Sequence, residues 1–281
     1  MPPASSGSAG SSGSADRTGP EPRPVALVTG ASGGIGEELA RRAARDGYDL
    51  VLVARSRDRL EHLASVCEAD GVTSEVLVAD LETGAGVEAV EERIVCRSGE
   101  RPIDVLVNNA GYGSLGSFAE LPLAAELGQI SLNVVALVRL SHAGLPGMVE
   151  RRRGGLLNVG SLASFQPGPG MATYAATKAF VLSFTESIRE EVRGTGVRVT
   201  CLCPGFTRTG FQARAGVRGT GLSGPTWQDA AGVAAAGWEG FSRDRDVVVP
   251  GILNRAAAAG VRLAPRALVR RLSAEVVRGL R

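Results

Sequence analysis

The feature that most constrains the fold of this 281-residue chain is a short apolar segment followed at once by a glycine-rich turn. Residues 25–28 (VALV) are typical of a buried strand, and the segment TGASGGIG at residues 29–36 leads directly into a helical pattern at residues 37–46. The glycines permit a tight turn and close approach of the backbone to an anion, while the helix N-terminus attracts negative charge. The segment therefore predicts a phosphate-binding site.

The rest of the chain alternates strand and helix patterns, as a parallel doubly wound sheet requires. The strand segments are short and apolar, so we expect them to be buried on both faces. The longest helix is expected at residues 172–192. The predicted strands lie at residues 25–28, 50–53, 75–78, 104–107, 155–159, 198–202 and 246–249. The sequence thus predicts one Rossmann-type α/β domain with three layers.

The chain contains a single lysine among 31 lysine and arginine residues, and this Lys178 follows Tyr174 by four positions on the predicted helix. Residues at i and i+4 share a helix face, so the two side chains are expected to be neighbours. An ammonium group beside a phenol lowers the phenol pKa from about 10, which favours proton transfer near neutral pH. The alternative is a lysine that snorkels from an amphipathic helix.

The glycine spacing and the Tyr174–Lys178 pair together resemble the short-chain dehydrogenase/reductase family. Further motifs of that family follow in the expected order up to about residue 250. They are Asp80 after a strand, NNAG at residues 108–111, Asn133, Ser161 and PGFTRT at residues 204–209. A turn, a helix cap or a loop explains any one of these motifs alone. Their joint occurrence favours the family.

The resemblance implies four catalytic residues, which are Asn133, Ser161, Tyr174 and Lys178. Tyr174 would exchange a proton with the oxygen of a carbonyl or secondary alcohol, and Ser161 would hydrogen-bond the same oxygen. Lys178 would lower the Tyr174 pKa and hold the nicotinamide ribose, while Asn133 would anchor a water that supplies the proton. The cofactor site implied by the family comprises Gly30, Ser32, Gly34, Ile35, Gly36, Asp80, Leu81, Asn109, Ala110, Gly111, Tyr174, Lys178, Pro204, Gly205, Thr207 and Thr209.

The end of the second strand indicates which dinucleotide is preferred. An NAD enzyme places an acidic residue there, about 20 residues after the glycines, whereas this chain has Ala54, Arg55, Ser56 and Arg57. Arg55 can form paired hydrogen bonds with a 2′-phosphate, assisted by Arg57 or Ser56, and no acid is expected nearby to repel it. We therefore predict NADP(H) over NAD(H). An exposed helix start is the alternative.

Composition limits the other partners. The formal net charge is +2, and no basic block carries interleaved aromatic residues, so no nucleic-acid partner is expected. Four cysteines and two histidines lack metal-ligand spacing, which predicts no metal site and a reducing cytoplasm. Cys201 and Cys203 are expected to pack on one face of a strand. No run of 18 apolar residues predicts a stable membrane span.

The domain organisation follows from shifts in composition. We expect a disordered Gly/Ser/Pro-rich tail at residues 1–23, which lacks the apolar segment of a signal peptide, and a catalytic domain at residues 24–254. A glycine-rich substrate lid is expected near residues 206–227. Residues 255–281 carry seven arginines and read as a basic helical extension broken at Pro265. It is either a solvated helix or one capable of weak peripheral membrane contact.

The expected function is reduction of a carbonyl or oxidation of a secondary alcohol by hydride transfer. The segment FQPGPGM at residues 165–171, with Leu162 and Phe206, should line the substrate pocket, which favours an apolar ketone or acyl-chain carbonyl. A non-catalytic dinucleotide-binding sensor with the same fold is the alternative, since fold does not prove chemistry. The family resemblance also implies a homo-dimer or homo-tetramer.

Overall fold

A computed structural model of the chain describes residues 22–95, 100–215 and 227–278. The strands are β1 (Val25–Thr29), β2 (Asp49–Ala54), β3 (Ser74–Val78), β4 (Val105–Asn108), β5 (Gly155–Val159), β6 (Arg198–Leu202), β7 (Thr207–Arg208), β8 (Gln228–Asp229) and β9 (Val247–Val248). The helices are α1 (Gly34–Arg45), α2 (Arg57–Glu68), α3 (Gly84–Val95), α4 (Leu123–Ile130), α5 (Leu137–Glu150), α6 (Ala172–Glu191), α7 (Phe211–Arg214), α8 (Ala230–Ser242), α9 (Ile252–Leu263) and α10 (Arg266–Arg278). A π-helical segment, Ser131–Ala136, joins α4 to α5, and a 3₁₀ turn, Leu162–Phe165, follows β5.

Seven strands form one parallel sheet in the order β3-β2-β1-β4-β5-β6-β9, and β7 pairs with β8 separately. The chain reverses direction across the sheet between β1 and β4, which are hydrogen-bonded neighbours. This is the doubly wound topology predicted from the sequence, and the prediction is confirmed. Because ligands bind at the carboxyl ends of strands near such a reversal, the segments after β1, β4, β5 and β6 are brought to a common edge.

Burial differs between the central and the edge strands. β1, β2, β4 and β5 are buried along their whole lengths. In contrast, β3 has two exposed residues and β9 is only half-buried. The expectation that every strand is buried on both faces is therefore wrong for these two. The reason is their place in the sheet, because each has only one neighbouring strand.

Two core layers cover the faces of the sheet. On one face α1, α2 and α8 pack against alternate strand residues, and on the other face α3 and α5 do so. Trp238 of α8 joins the first layer: its Nε1 donates to Asp46 Oδ2 at 2.7 Å, and its ring meets Tyr48 edge-on at 5.3 Å. The helices on both faces of the sheet hold the strand ends in place.

One helical stretch of the described chain, Leu123–Glu150, is long and apolar enough to cross a membrane by length and composition. The stretch is this long because α4, the π-helical segment and α5 are continuous, although it is interrupted by polar residues and contains no run of 18 apolar ones. The inward residues of the stretch, Ala136, Leu140 and Met148, belong to the core that covers β1 and β4. One side of the stretch is therefore packed against the core.

Parts of three expectations fall outside the described residues. They concern residues 1–21 of the tail, residues 216–226 of the expected lid and the last three residues of the C-terminal extension. Cys96 also lies outside. Cys201 in β6 and Cys203 directly after it are buried with their sulfurs 3.6 Å apart, as their alternation with Leu202 predicts.

Candidate active site

The glycine turn between β1 and α1 forms a cradle with no room for side chains. Gly30 and Gly34 adopt positive φ angles of 67° and 62°, which glycine reaches without strain. A Cβ at Gly36 would overlap the carbonyl oxygen of Gly30 and the amide nitrogen of Asn109. The turn therefore leaves its backbone bare at the start of α1, where a helix N-terminus attracts an anion.

Thr29 and Asn109 fasten the end of β4 to this turn. Thr29 Oγ1 accepts from the backbone amides of Asn109 and Ala110 at 3.0 and 3.1 Å and donates to the Val107 carbonyl. The Asn109 side chain donates to the Thr29 carbonyl at 2.9 Å. The predicted NNAG segment is thus a structural clamp between two strand ends.

Tyr174 lies in the first turn of α6 and faces the 3₁₀ turn capped by Ser161. The Ser161 hydroxyl accepts from the Ala163 amide at 3.1 Å, which fixes its orientation. Burial raises the pKa of Tyr174 above its ordinary value, and a hydrogen bond with Ser161 opposes part of this rise. The phenol is therefore held protonated at neutral pH.

Lys178 is buried one turn further along α6. Its Nζ donates to the Val159 carbonyl at 2.8 Å and lies 5.9 Å from the centre of the Tyr174 ring. Burial lowers the pKa of Lys178 from 10.5 to about 8. The expectation that Lys178 lowers the Tyr174 pKa is not met, because burial of the phenol dominates and the ammonium is directed to a backbone carbonyl. The alternative of a snorkelling surface lysine is also wrong, since only 5% of the residue is exposed.

Asn133 lies in the π-helical segment, which turns its side chain into the interior. The amide nitrogen donates to the Tyr112 carbonyl at 2.9 Å and to Thr177 Oγ1 at 3.0 Å, and the amide oxygen accepts from the Tyr112 backbone. A Cβ at Gly111 would lie 2.9 Å from the Asn133 oxygen and 3.4 Å from Lys178 Nζ. Both polar groups therefore lie beside Gly111.

The segment after β6 closes the site from the far side. A Cβ on Gly34 would lie 3.0 Å from the Thr209 methyl group, so this segment reaches the glycine turn. Thr207 Oγ1 donates to the Gly205 carbonyl at 3.0 Å. Behind it, Asn254 of α9 presses against Gly205 and donates to Gln228 and Pro250.

Arg55 has acidic neighbours that the sequence order does not reveal. Its Nη1 lies 3.4 Å from Glu82 Oε1 and 4.0 Å from Asp80 Oδ2, and the Tyr112 hydroxyl also contacts Glu82. The expectation that no acid lies within reach of Arg55 is therefore wrong. Asp80 and Glu82 belong to the segment that follows β3. Because β3 pairs with β2, this segment lies beside the end of β2, where Arg55 is.

These groups line one cavity of about 680 Å³, a volume typical of ligand sites. Of the predicted residues, Gly36 and Asn133 support its wall from behind. The predicted residues in its wall are Gly30, Ser32, Gly34, Ile35, Arg55, Asp80, Leu81, Asn109, Ala110, Gly111, Ser161, Tyr174, Lys178, Pro204, Gly205, Thr207 and Thr209. Among the residues that the structure describes, no group of three or more His, Cys, Asp or Glu side chains is arranged to hold a metal.

The expectation that residues 165–171, Leu162 and Phe206 line the substrate pocket is confirmed only in part. Leu162, Met171 and Phe206 line the cavity as predicted, together with residues 166–168. Phe165 instead packs against the core cluster formed by residues of α6 with Leu137, Cys201 and Cys203.

Several cavity residues were missed by the sequence analysis. Phe211 lies 5.4 Å from the Tyr174 ring, and Trp227 stacks on Phe206 at 5.2 Å. From the C-terminal extension, α10 contributes Ser273, Val276 and Val277. The extension is therefore not simply a solvated helix. The aromatic residues flank the glycine-rich segment and were a usable signal, whereas the position of α10 depends on a long-range contact.

Comparison with known proteins gives the same assignment. Residues 24–217 match the short chain dehydrogenase family. The chain belongs to the short-chain dehydrogenase family. It is an oxidoreductase of the class that acts on alcohol and carbonyl groups, so the predictions of family and enzyme class are confirmed.

Characterised short-chain dehydrogenases of several kinds are similar to this chain. The NADP-dependent 3-hydroxy acid dehydrogenase YdfG of Salmonella typhi is 40% identical over 185 residues, 65% of this chain and 72% of the relative. A Sphingobium yanoikuyae short-chain dehydrogenase in complex with NADPH is 37% identical, with a TM-score of 0.77 over 85% of this chain and 94% of that one.

Two further structures differ in ligand or specificity. The bulky-bulky ketone specific alcohol dehydrogenase of Comamonas testosteroni is 32% identical, with a TM-score of 0.72 over 87% of this chain and 96% of that one. A Burkholderia phymatum short-chain dehydrogenase in complex with NAD is 25% identical, with a TM-score of 0.75 over 90% and 95% of the two chains. Both dinucleotides thus occur among similar structures.

Proposed function

We propose that this chain is an NADP(H)-dependent oxidoreductase that interconverts a carbonyl and a secondary alcohol, with Tyr174 as the general acid and base. The observation that carries the proposal is the wall shared by Tyr174, Ser161 and the glycine turn. A proton donor is useful for reduction only where the hydride donor and the carbonyl meet. This cavity has the proton donor and the glycine turn proposed to hold the hydride-carrying cofactor in the same wall.

The residues fit a dinucleotide. The cradle at Gly30, Gly34 and Gly36 would be filled by any Cβ, which leaves backbone amides free for a pyrophosphate. When bound, the nicotinamide supplies or accepts the hydride. The residues proposed to hold the cofactor are those of the predicted set, with Lys178 on the nicotinamide ribose and the segment at residues 204–209 beside the nicotinamide.

Proton transfer is assigned to a short series of groups. Tyr174, protonated at neutral pH, donates to the developing alkoxide during reduction and accepts a proton during oxidation. Ser161 hydrogen-bonds the same oxygen and orients the substrate. The Asn133 oxygen and Lys178 Nζ, side by side at Gly111, would hold a water that restores the proton.

The preference for NADP(H) is proposed from positive charge at the end of β2. Arg55, Ser56 and Arg59 line the cavity there, and Arg55 can form two hydrogen bonds with a phosphate. Glu82 opposes this preference because it competes for Arg55. We therefore propose a moderate rather than an absolute preference for NADP(H).

The substrate is proposed to be an apolar ketone or acyl-chain carbonyl. Leu162, Met171, Phe206, Phe211 and Trp227 give the substrate half of the cavity an apolar wall. The similar Comamonas enzyme is named for bulky ketones, and the Salmonella relative for 3-hydroxy acids. The apolar wall favours the first kind of substrate.

The test is NADPH oxidation followed by absorbance with a panel of ketones, aldehydes and 3-oxoacyl thioesters. We expect turnover with apolar ketones, and its loss in Tyr174→Phe with NADPH binding retained. NADPH binding without turnover on any carbonyl would favour the alternative of a non-catalytic sensor.

The remaining expectations stay proposals for this chain. We propose a homo-dimer or homo-tetramer in the cytoplasm, with no nucleic-acid partner, no stable membrane span and no metal. The domain boundaries proposed are residues 1–23 for the tail, 24–254 for the catalytic domain and 255–281 for the C-terminal extension, with a substrate lid near residues 206–227.

A further inference from the structure

The C-terminal helix α10 forms part of the cavity wall. Val269 and Ser273, one turn apart, are its buried residues, and Val276 and Val277 line the cavity next to Ser273. The arginines of the helix, Arg266, Arg270, Arg271 and Arg278, are exposed. Its arginines are thus directed to solvent, while Ser273, Val276 and Val277 line the cavity.

The hydroxyl of Ser273 is buried without a hydrogen-bond partner. Only 4% of the residue is exposed, and Oγ has no donor or acceptor within reach. Of the buried side-chain atoms found unpaired in the described part of the chain, this is the one whose residue lines the cavity. A buried hydroxyl normally has a partner, so the missing partner is expected to be a ligand.

The route of the chain indicates which end of the cavity α10 covers. β9 lies at the edge of the sheet next to β6, opposite the β2 and β3 edge where Arg55 lies. The helix that follows, α9, packs against the 3₁₀ turn after Ser161, and its Asn254 contacts Gly205. The C-terminal extension therefore begins at the end that holds Ser161 and the apolar wall, and α10 follows α9 directly along the chain.

We propose that Ser273 binds a second polar group of the substrate, remote from the reacting carbonyl, and that Val276 and Val277 contact the apolar chain between them. The assignment rests on the proposed function, because it presumes that the carbonyl lies at Tyr174 and Ser161. It narrows the substrate class to apolar ketones that carry a hydroxyl, ether or ester oxygen at the far end. Ser273 then sets specificity and takes no part in proton transfer.

The test compares matched ligands by binding. Medium-chain 2-ketones and the same ketones with a terminal hydroxyl are titrated into the NADP⁺-saturated protein, and the fluorescence of Trp227, which lines the cavity, reports binding. The proteins are wild type, Ser273→Ala, Ser273→Thr and the control Leu272→Ala, whose residue is 57% exposed on the same helix. NADPH affinity is measured for each in parallel.

Wild type should bind the hydroxylated ketone about three- to tenfold more tightly than the same ketone without the hydroxyl, as one hydrogen bond allows. Ser273→Ala should lose this preference, while Ser273→Thr and Leu272→Ala keep it and NADPH affinity is unchanged in all. The proposal is overturned if wild type shows no preference or binds neither ketone, if Ser273→Ala retains the preference, or if only NADPH affinity changes.

Turnover on the same ketones separates this inference from the proposed function. If binding shows the expected preference but no NADPH is oxidised, the oxidoreductase proposal fails, and Ser273 is still identified as the residue that binds the hydroxyl group of the ligand. If ketones are reduced but the preference is absent, the assignment of Ser273 fails and the oxidoreductase proposal stands.

Discussion

At the scale of single residues, Lys178 occupies a space that suits an ammonium and not a guanidinium. Its Nζ donates to the Val159 carbonyl and lies beside Gly111, where a Cβ would be only 3.4 Å away. Every other basic position in the chain is arginine, so the chain does not avoid arginine in general. The lysine is therefore selected by the shape of the site.

Lys178→Arg should fold but lose turnover. The broad guanidinium cannot reach both the carbonyl and the proposed ribose contact, so we expect kcat to fall by about tenfold or more, within the range that a positioned acid contributes. Steady-state kinetics on any reduced ketone, with melting temperature as the folding control, measures this. A variant with near wild-type kcat would contradict the role of Lys178.

The lowered pKa of Lys178 makes stability depend on pH. The lysine titrates near 8 when folded and near 10.5 when unfolded, so between these values the unfolded state holds more protons. Its contribution to the free energy of unfolding therefore rises with pH in that window, and the full burial penalty applies below pH 8. Lys178→Met removes the penalty.

The stability of Lys178→Met relative to wild type should be greater at pH 7 than at pH 10, by on the order of 2 to 3 kcal/mol. Urea unfolding without added cofactor at both pH values measures the difference, and other titrating groups cancel between the two proteins. An equal difference at both values would show that Lys178 is not buried in its charged form.

Glu82 should temper the choice of cofactor. Its carboxylate lies 3.4 Å from Arg55 and is held by Tyr112, so it competes with a 2′-phosphate for the guanidinium. Glu82→Gln should tighten NADPH binding about two- to fivefold, a modest effect because the pair is partly exposed, and leave NADH binding nearly unchanged. Arg55→Asp should instead weaken NADPH binding. Fluorescence titration with both cofactors checks this, and equal changes for NADH and NADPH would contradict it.

At the scale of elements, the sequence predicted the local units well and their surroundings less well. The glycine turn and the central strands were predictable, because their signals lie within ten residues. The π-helical segment that orients Asn133 leaves no such signal, and neither does the partial exposure of β3 and β9, which depends on sheet order. Local pattern determines an element, whereas its neighbours determine its burial.

The glycine turn offers a matched pair of substitutions. A Cβ at Gly36 would overlap backbone and the Asn109 side chain, whereas one at Gly33 meets nothing within 4 Å, and Gly33 has an extended φ of 167°. Gly36→Ala should therefore lower the melting temperature by several degrees, as a strained backbone contact does, and Gly33→Ala should not. Differential scanning fluorimetry of both variants is the measurement, and equal melting temperatures would show that the turn yields easily.

At the scale of the whole molecule, the sequence predicted the sheet topology but not the contacts between segments that are far apart in the chain. The order of motifs along the chain fixed the sheet and the strand ends where the site lies. The approach of Glu82 to Arg55 and of α10 to the cavity joins segments far apart in the chain, which no local pattern encodes. These contacts affect cofactor preference and substrate choice. Specificity is therefore harder to predict from the sequence than the fold is.

The exposed apolar face formed by α4, the π-helical segment and α6 should join two copies of this chain. Leu127, Ile130, Val135 and Phe180 are 39–53% exposed on adjacent helices, and such a face can pair with itself about a twofold axis. Light scattering should give at least a dimer for wild type and a monomer for Leu127→Arg. Leu263→Arg, at a leucine 88% exposed on α9, serves as the control and should stay oligomeric. A monomeric wild type would refute the interface, and loss of assembly in both variants would show that added charge acts without regard to position.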